Sequence, residues 1–170
     1  MNRKTIFFSV LALLVLLSGG LGYLTFGKIQ HRRQVETTLQ TLPNIQGWSM
    51  DSAFVQYQPA SNRPTVVIYF NSECHICQYE AQEIRDNEAA LQNADLLMLS
   101  SENLSAIQAF VRQYQLDKRA NIQAMQLDPV AITQTFGAVS VPSIFIYDTH
   151  RQLVKHYRGE TKLDAILRHL

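Results

Sequence analysis

The chain has 170 residues, enough for one domain and an appendage, and 46% of them are apolar, which is ordinary for a protein that buries a core. Fifteen Lys and Arg against fourteen Asp and Glu leave a net charge of +1, so composition makes no case for a nucleic-acid partner. Only two cysteines are present, Cys74 and Cys77.

The first 27 residues differ from the rest. Arg3 and Lys4 form a short basic start, and Ile6 to Phe26 then runs without a charge. At 1.5 Å rise per residue that run spans about 30 Å, the thickness of a bilayer core. A cleaved signal peptide competes, because Ile6 to Leu17 has the length of an h-region and Ser18, Gly19 and Gly20 are small. Apolarity that continues through Leu21, Tyr23, Leu24 and Phe26 favours an uncleaved anchor, a transmembrane helix over residues 1–27. Lys28, Arg32 and Arg33 follow the span, so basic residues flank both sides and barely set its orientation. Residues 28–43 form a stalk or linker: Val35, Leu39 and Leu42 fit a helical spacing, a solvated linker fits as well, and Pro43 ends it.

From Asn44 to the end the pattern alternates between strand and helix. Ser49 to Tyr57 is a weak strand or hairpin, and Gln58 to Pro64 is a loop. Thr65 to Phe70 is a strand whose β-branched run is covered on both faces. A helix from Cys74 to about Gln92 places Cys77, Ala81, Ile84 and Leu91 on one face. Ala94 to Leu99 is the next strand, and Leu104 to Tyr114 a helix with Ile107, Phe110 and Val111 as its apolar side. Asp128 and Pro129 open a short helix that ends at Phe136, with Gly137 as its C-cap. Ser143 to Tyr147 and Leu153 to Tyr157 form a hairpin, and Lys162 to Leu170 a closing helix. This order predicts an α/β domain over residues 44–170, a mixed sheet with helices on both faces.

The cysteines stand where the strand gives way to the helix. Unpaired N–H groups and the positive end of the helix dipole favour an anion there, so a thiolate at Cys74 is stabilised. Cys74 is then the attacking sulfur, and Cys77, one turn on, the resolving one. Zinc or copper binding is an alternative, but a metal site needs more ligands than this pair, and His75, His150, His156 and His169 are scattered. A purely structural bridge is another, yet closing two residues restricts the unfolded chain little. No Gly-X-Gly-X-X-Gly fingerprint for a nucleotide or flavin is present, so no cofactor beyond the Cys74–Cys77 disulfide is expected, and electrons must come from a partner.

The string YFNSECHICQYE, followed by FGAVSVPSIFIYD and then by YRGE, resembles the thioredoxin-like fold and, within it, the membrane-anchored TlpA-like and ResA-like thiol-disulfide oxidoreductases. The resemblance implies a cis peptide bond before Pro142, packed against the cysteine pair. It implies a main chain at Val141 that pairs with an incoming substrate, with His75 and Ile76 beside it. Glu80 matches the ResA-like glutamate three residues after the second cysteine, a carboxylate that exchanges a proton with the resolving thiol; the bland alternative is an ordinary acidic residue on a solvated helix. The thioredoxin tryptophan before the first cysteine is Glu73 here, the thioredoxin buried aspartate is Ile68, and no proline separates the cysteines. These departures speak against an ordinary cytoplasmic thioredoxin, and the absence of a peroxiredoxin threonine motif from Asn71 to Glu73 speaks against peroxidase activity. What the resemblance implies is a reductase of disulfides in exported proteins on the extracytoplasmic side of the inner or cytoplasmic membrane, recharged by a membrane thiol carrier of the CcdA or DsbD type. An oxidase or isomerase, and a metal chaperone or redox-responsive binding protein using Cys74, Cys77 and His75, are the rivals. Trp48 and Phe70 are expected in the core and the other histidines at the surface.

Overall fold

The computed structural model describes residues 37–60, 62–137 and 139–170. The expected anchor and most of the expected stalk lie outside the described residues. Among the described residues, no helix is long and apolar enough to cross a membrane. At the end of the stalk, Leu39 is buried, the Leu42 N–H donates to the Arg151 carbonyl (2.8 Å), and the Leu153 N–H donates to that of Gln40 (2.8 Å).

Seven strands make one sheet in the order β2-β1-β5-β4-β3-β6-β7. They are β1 (Gln46–Ser49), β2 (Phe54–Gln56), β3 (Thr65–Tyr69), β4 (Asp95–Ser100), β5 (Ile122–Gln126), β6 (Ser143–Tyr147) and β7 (Leu153–Arg158). β3, β4 and β5 are parallel, and β1, β6 and β7 run antiparallel to their neighbours. The helices are α1 (His75–Asp86), α2 (Glu88–Leu91), α3 (Leu104–Gln113), α4 (Pro129–Phe136) and α5 (Leu163–Leu167).

Alternation along the central strands divides the core into two layers. Val66 and Ile68 of β3, Leu96 and Met98 of β4, and Ile144 and Ile146 of β6 share one face, packed with Cys77, Ala81 and Ile84 of α1, Ile107 and Phe110 of α3, and Leu163 and Ile166 of α5. Val67, Leu97 and Phe145 point the other way, where the rings of Phe145 and Phe136 of α4 lie 5.0 Å apart. The predicted mixed sheet with helices on both faces is therefore present. Each fully buried aliphatic side chain in these layers contributes about 1.5–3 kcal/mol.

Three expectations need correction. β5 was not foreseen: only Ile122, Ala124 and Met125 are apolar in it, and its place between β1 and β4 comes from pairing with both. The long helix predicted to Gln92 stops at Asp86, because Asn87 turns out of helical geometry (φ −117°) and its main-chain and side-chain N–H groups both take the Glu83 carbonyl. Trp48 is not a core residue. It is 48% exposed and meets Phe54 edge-on across the β1–β2 hairpin, whereas Phe70 is buried as expected.

Gly47 stands where β1 passes close against β5. A Cβ there would lie 2.4 Å from the Gln126 carbonyl oxygen and 2.8 Å from Leu127 Cδ1, so β1 and β5 would have to separate. Gly47→Ala is expected to lower unfolding free energy by about 1–3 kcal/mol in urea titrations.

Candidate active site

The site lies at the carboxyl edge of the parallel strands, where loops leave β3 and β4 and the chain enters β6 from the opposite direction. Tyr69, the last residue of β3, pairs with Ser143, the first of β6. The turn after β3 is wired throughout. The Phe70 N–H donates to the Leu99 carbonyl (2.9 Å), the Glu73 N–H to Asn71 Oδ1 (2.9 Å), and the Cys74 N–H to the Asn71 carbonyl (3.2 Å). Cys74 is not in the first helical turn but at the N-cap, in extended geometry (φ −77°, ψ 114°), and its Sγ accepts the Cys77 N–H at 3.4 Å. The helix end foreseen from composition is thus capped by the sulfur itself.

Cys74 is half-buried and Cys77 is buried, the asymmetry expected of an attacking and a resolving thiol. Burial, first, and the hydrogen bond with Cys74 push the Cys77 thiol up to about 12, with the negative charges at Cys74 and Glu80 adding to the effect. Left to itself this thiol does not ionise near neutral pH.

Glu80 is not on a solvated face. It is 5% exposed, one turn beyond Cys77 on the same buried side of α1. Oε1 accepts the Thr161 N–H (3.2 Å), while Oε2 is buried without a hydrogen-bond partner among the described residues. Ile68, Ile84, Ile144, Leu163 and Ile166 line the space around it. Desolvation raises its carboxyl to about 7, against the lowering effect of the Thr161 N–H.

The peptide bond between Val141 and Pro142 is cis. Pro142 is buried, and Val141, partly exposed, packs on the same core cluster as Cys74. A short relay ties this segment to Glu80. The Gly159 N–H donates to the Pro142 carbonyl (2.9 Å), and the Thr161 hydroxyl donates to the Gly159 carbonyl (3.1 Å). The Thr161 N–H then holds Glu80. Gly159, at φ +79°, supplies the left-handed turn that brings these groups together.

His75 and Ile76 are exposed beside Cys74, and Glu73 is exposed before it. The remaining histidines are not all surface residues: His156 stacks on Phe145 (4.0 Å between centroids), and its buried Nε2 lacks a partner among the described residues. Desolvation, then the nearby Arg158 charge, lowers it to about 4. Two residues at the site carry no signal of their own in the sequence. Thr161 directly follows the YRGE string, and Glu102, whose carboxylate grips Ser72, sits in a loop with no motif.

No protein-family model and no curated protein sequence matches the chain. Solved structures do match in shape. A secreted Mycobacterium tuberculosis disulfide oxidoreductase, described as homologous to Escherichia coli DsbE, superposes with a TM-score of 0.63 at 16% identity, over 78% of this chain and 96% of the other. DsbF of the same organism, captured in mixed oxidised and reduced forms, gives 0.63 at 19% identity over 78% and 93%. A peroxiredoxin-like protein from Aquifex aeolicus gives 0.62 at 13% identity over 76% and 82%. Likeness at this level of identity is likeness of architecture, shared by chains described as disulfide oxidoreductases and as peroxiredoxin-like. The mixed sheet that carries Cys74, Cys77 and the cis Val141–Pro142 bond at one edge is a thioredoxin-like fold.

Proposed function

We propose that the chain is a membrane-anchored thiol-disulfide oxidoreductase that reduces disulfides of exported proteins outside the cytoplasm. The observation that carries this reading is the pairing of a half-exposed sulfur at a helix N-cap with a buried thiol one turn deeper, next to a buried carboxyl that titrates near neutrality.

In the forward cycle the Cys74 thiolate attacks one sulfur of the substrate disulfide. The substrate S–S bond breaks, a mixed disulfide forms, and the departing thiolate takes up a proton. Cys77 then attacks Cys74 Sγ as its proton passes to the Glu80 carboxylate. The second substrate thiol leaves and the Cys74–Cys77 disulfide closes. Two electrons have moved to the substrate, its two sulfurs have taken protons from solvent, and the Cys77 proton is left on Glu80. Val141, packed on the same core cluster as Cys74 and followed by the anchored Pro142, offers its main chain to the substrate segment, with His75 and Ile76 on the flank. Regeneration needs an external dithiol, for which a membrane carrier of the CcdA or DsbD type is the proposed source.

The reduction potential tests the direction: a value below about −230 mV fits a reductase and one near −120 mV an oxidant. Cys74→Ser is expected to abolish insulin reduction. Cys77→Ser is expected to accumulate a mixed disulfide on Cys74, visible by non-reducing mass spectrometry; no trapped species means that the roles are wrongly assigned. Stoichiometric copper or zinc surviving dialysis, without disulfide exchange, would establish the metal-chaperone rival instead.

Glu80 makes a separate thermodynamic prediction. Its carboxyl holds a proton more tightly folded than unfolded, about 7 against 4.5, so the stability it confers is complete below pH 4.5 and is lost as pH rises through about 7. His156, lowered to about 4 from 6.5, acts in the opposite sense over an overlapping window, its contribution being lost as pH falls through the acid range. The difference between wild type and Glu80→Gln therefore isolates the carboxyl. Between about pH 4 and about pH 8 the wild type is expected to lose roughly 3 kcal/mol relative to Glu80→Gln in denaturant titrations. In kinetics the same substitution should slow release of the mixed disulfide by about 100-fold or more, the usual weight of a positioned base.

A further inference from the structure

Ser72, two residues before Cys74, has all three of its polar groups engaged by side chains from elsewhere. Its N–H donates to Glu102 Oε2 (2.7 Å), its hydroxyl donates to Glu102 Oε1 (2.6 Å), and its carbonyl accepts from Gln78 Nε2 (2.8 Å) in the second turn of α1. Glu102 is itself fixed. The hydroxyl of Ser100, fully buried at the end of β4, accepts the Glu102 N–H (3.3 Å) and donates to Oε2 (3.1 Å). Every contact on the carboxylate is thus a donor, which its two acceptor oxygens satisfy in full; an amide offers one acceptor oxygen, and its NH2 end is met only if the Ser72 hydroxyl turns round to accept. The neighbouring loop residue Ser101 adds a hydroxyl contact to Tyr69 at 3.2 Å.

We propose that Glu102 is a positioning residue for Cys74: by clamping both hydrogen-bond donors of Ser72, it fixes the path by which the chain enters α1 and so holds the Cys74 sulfur in attacking alignment. The inference rests on the reading of Cys74 as the attacking sulfur. The clamp joins the loop after β4 to the loop after β3, and Gln78 carries it into the helix whose Cys77 N–H meets Cys74 Sγ. An in-line attack on a disulfide requires the nucleophile to meet the S–S axis within narrow limits, and the sulfur is attached to the very turn that Glu102 holds.

Glu102 also carries a negative charge near a thiolate, and the sign of the effect separates the two roles. Removing a repelling charge speeds attack, whereas releasing the turn slows it. Ser72→Ala isolates the turn, because it deletes one of the two bonds and leaves the charge in place. The test uses the reduced full chain. The rate of reaction with the aromatic disulfide DTNB and the equilibrium with glutathione are measured for wild type, Glu102→Gln, Ser72→Ala and the double variant, at a temperature where circular dichroism shows each folded. Glu102→Gln is expected to slow attack by roughly 10- to 100-fold. Ser72→Ala should slow it by several-fold, and the double variant should be no slower than Glu102→Gln, since both changes remove one contact.

Wild-type rates and potential in both single variants, with only the melting temperature lowered, would reduce Glu102 to a structural tie and overturn the proposal, as would faster attack in Glu102→Gln. If Glu102→Gln does not fold, Ser72→Ala alone decides: several-fold slowing supports the clamp and an unchanged rate overturns it. A wild-type protein that cannot reduce DTNB would refute the reading of Cys74 itself, and the clamp with it.

Discussion

Because Cys74 Sγ is the acceptor that caps α1, the chemistry and the start of the helix share one atom. An N-cap normally spends a hydroxyl or carboxylate oxygen on an otherwise unpaired helix N–H. Here that acceptor is a sulfur whose charge changes during the reaction, and the N–H it receives belongs to the second cysteine of the pair. As a thiolate it gains from the hydrogen bond and from the dipole of the helix. As a half-disulfide it is the weaker acceptor and keeps only a weak contact. Everything that fixes the turn from Phe70 to Cys74 serves to keep this atom at that end.

The second sulfur obeys the opposite logic. Cys77 faces the layer formed by Ile84, Ile68 and Ile144, where an ion is poorly solvated, and its thiol is pushed up to about 12. A thiol so reluctant to ionise resolves a mixed disulfide only if a base takes its proton at the moment of attack. Glu80 lies on the same buried stripe, one turn further, and the same apolar layer raises its carboxyl to about 7. In the proposed cycle, one environment therefore suppresses the resolving thiolate and prepares a carboxyl to accept its proton. The anchorage of Glu80 by Thr161, and of Pro142 by Gly159, joins that proton store to the segment on which a substrate would lie.

The frame of this arrangement was legible in the sequence wherever a signal is local. The β-branched run of β3, the Asp128–Pro129 start and Gly137 end of α4, and the apolar stripe of α1 each depend on neighbours within a few residues, and each is found. What the sequence hid depends on distant partners. β5 is weakly apolar and owes its existence to the strands beside it. The burial of Glu80 is set by α5 and the turn at Thr161, 81 positions along the chain. Glu102 meets Ser72 across 30 positions. Trp48 was misplaced because a large aromatic near a strand suggests a core, while the β1–β2 hairpin sits at the sheet's edge and leaves its outer face to water.

Three carboxylates surround the pair, and their surroundings divide the work among them. Glu73 is exposed, so its charge faces water and is screened by salt. Glu102 is met by donors from Ser72 and Ser100, so its charge is spent on holding a turn. Of the three, Glu80 alone has an oxygen buried without a partner among the described residues, against isoleucine and leucine side chains, which makes the neutral acid comfortable and the bound proton exchangeable near neutrality. In the proposed cycle a proton released by Cys77 has a buried acceptor in Glu80, on the inner side of α1 and away from the exposed His75 and Ile76. Separating the proton's exit from the proposed substrate flank would let the resolving step proceed while the mixed disulfide still covers Cys74.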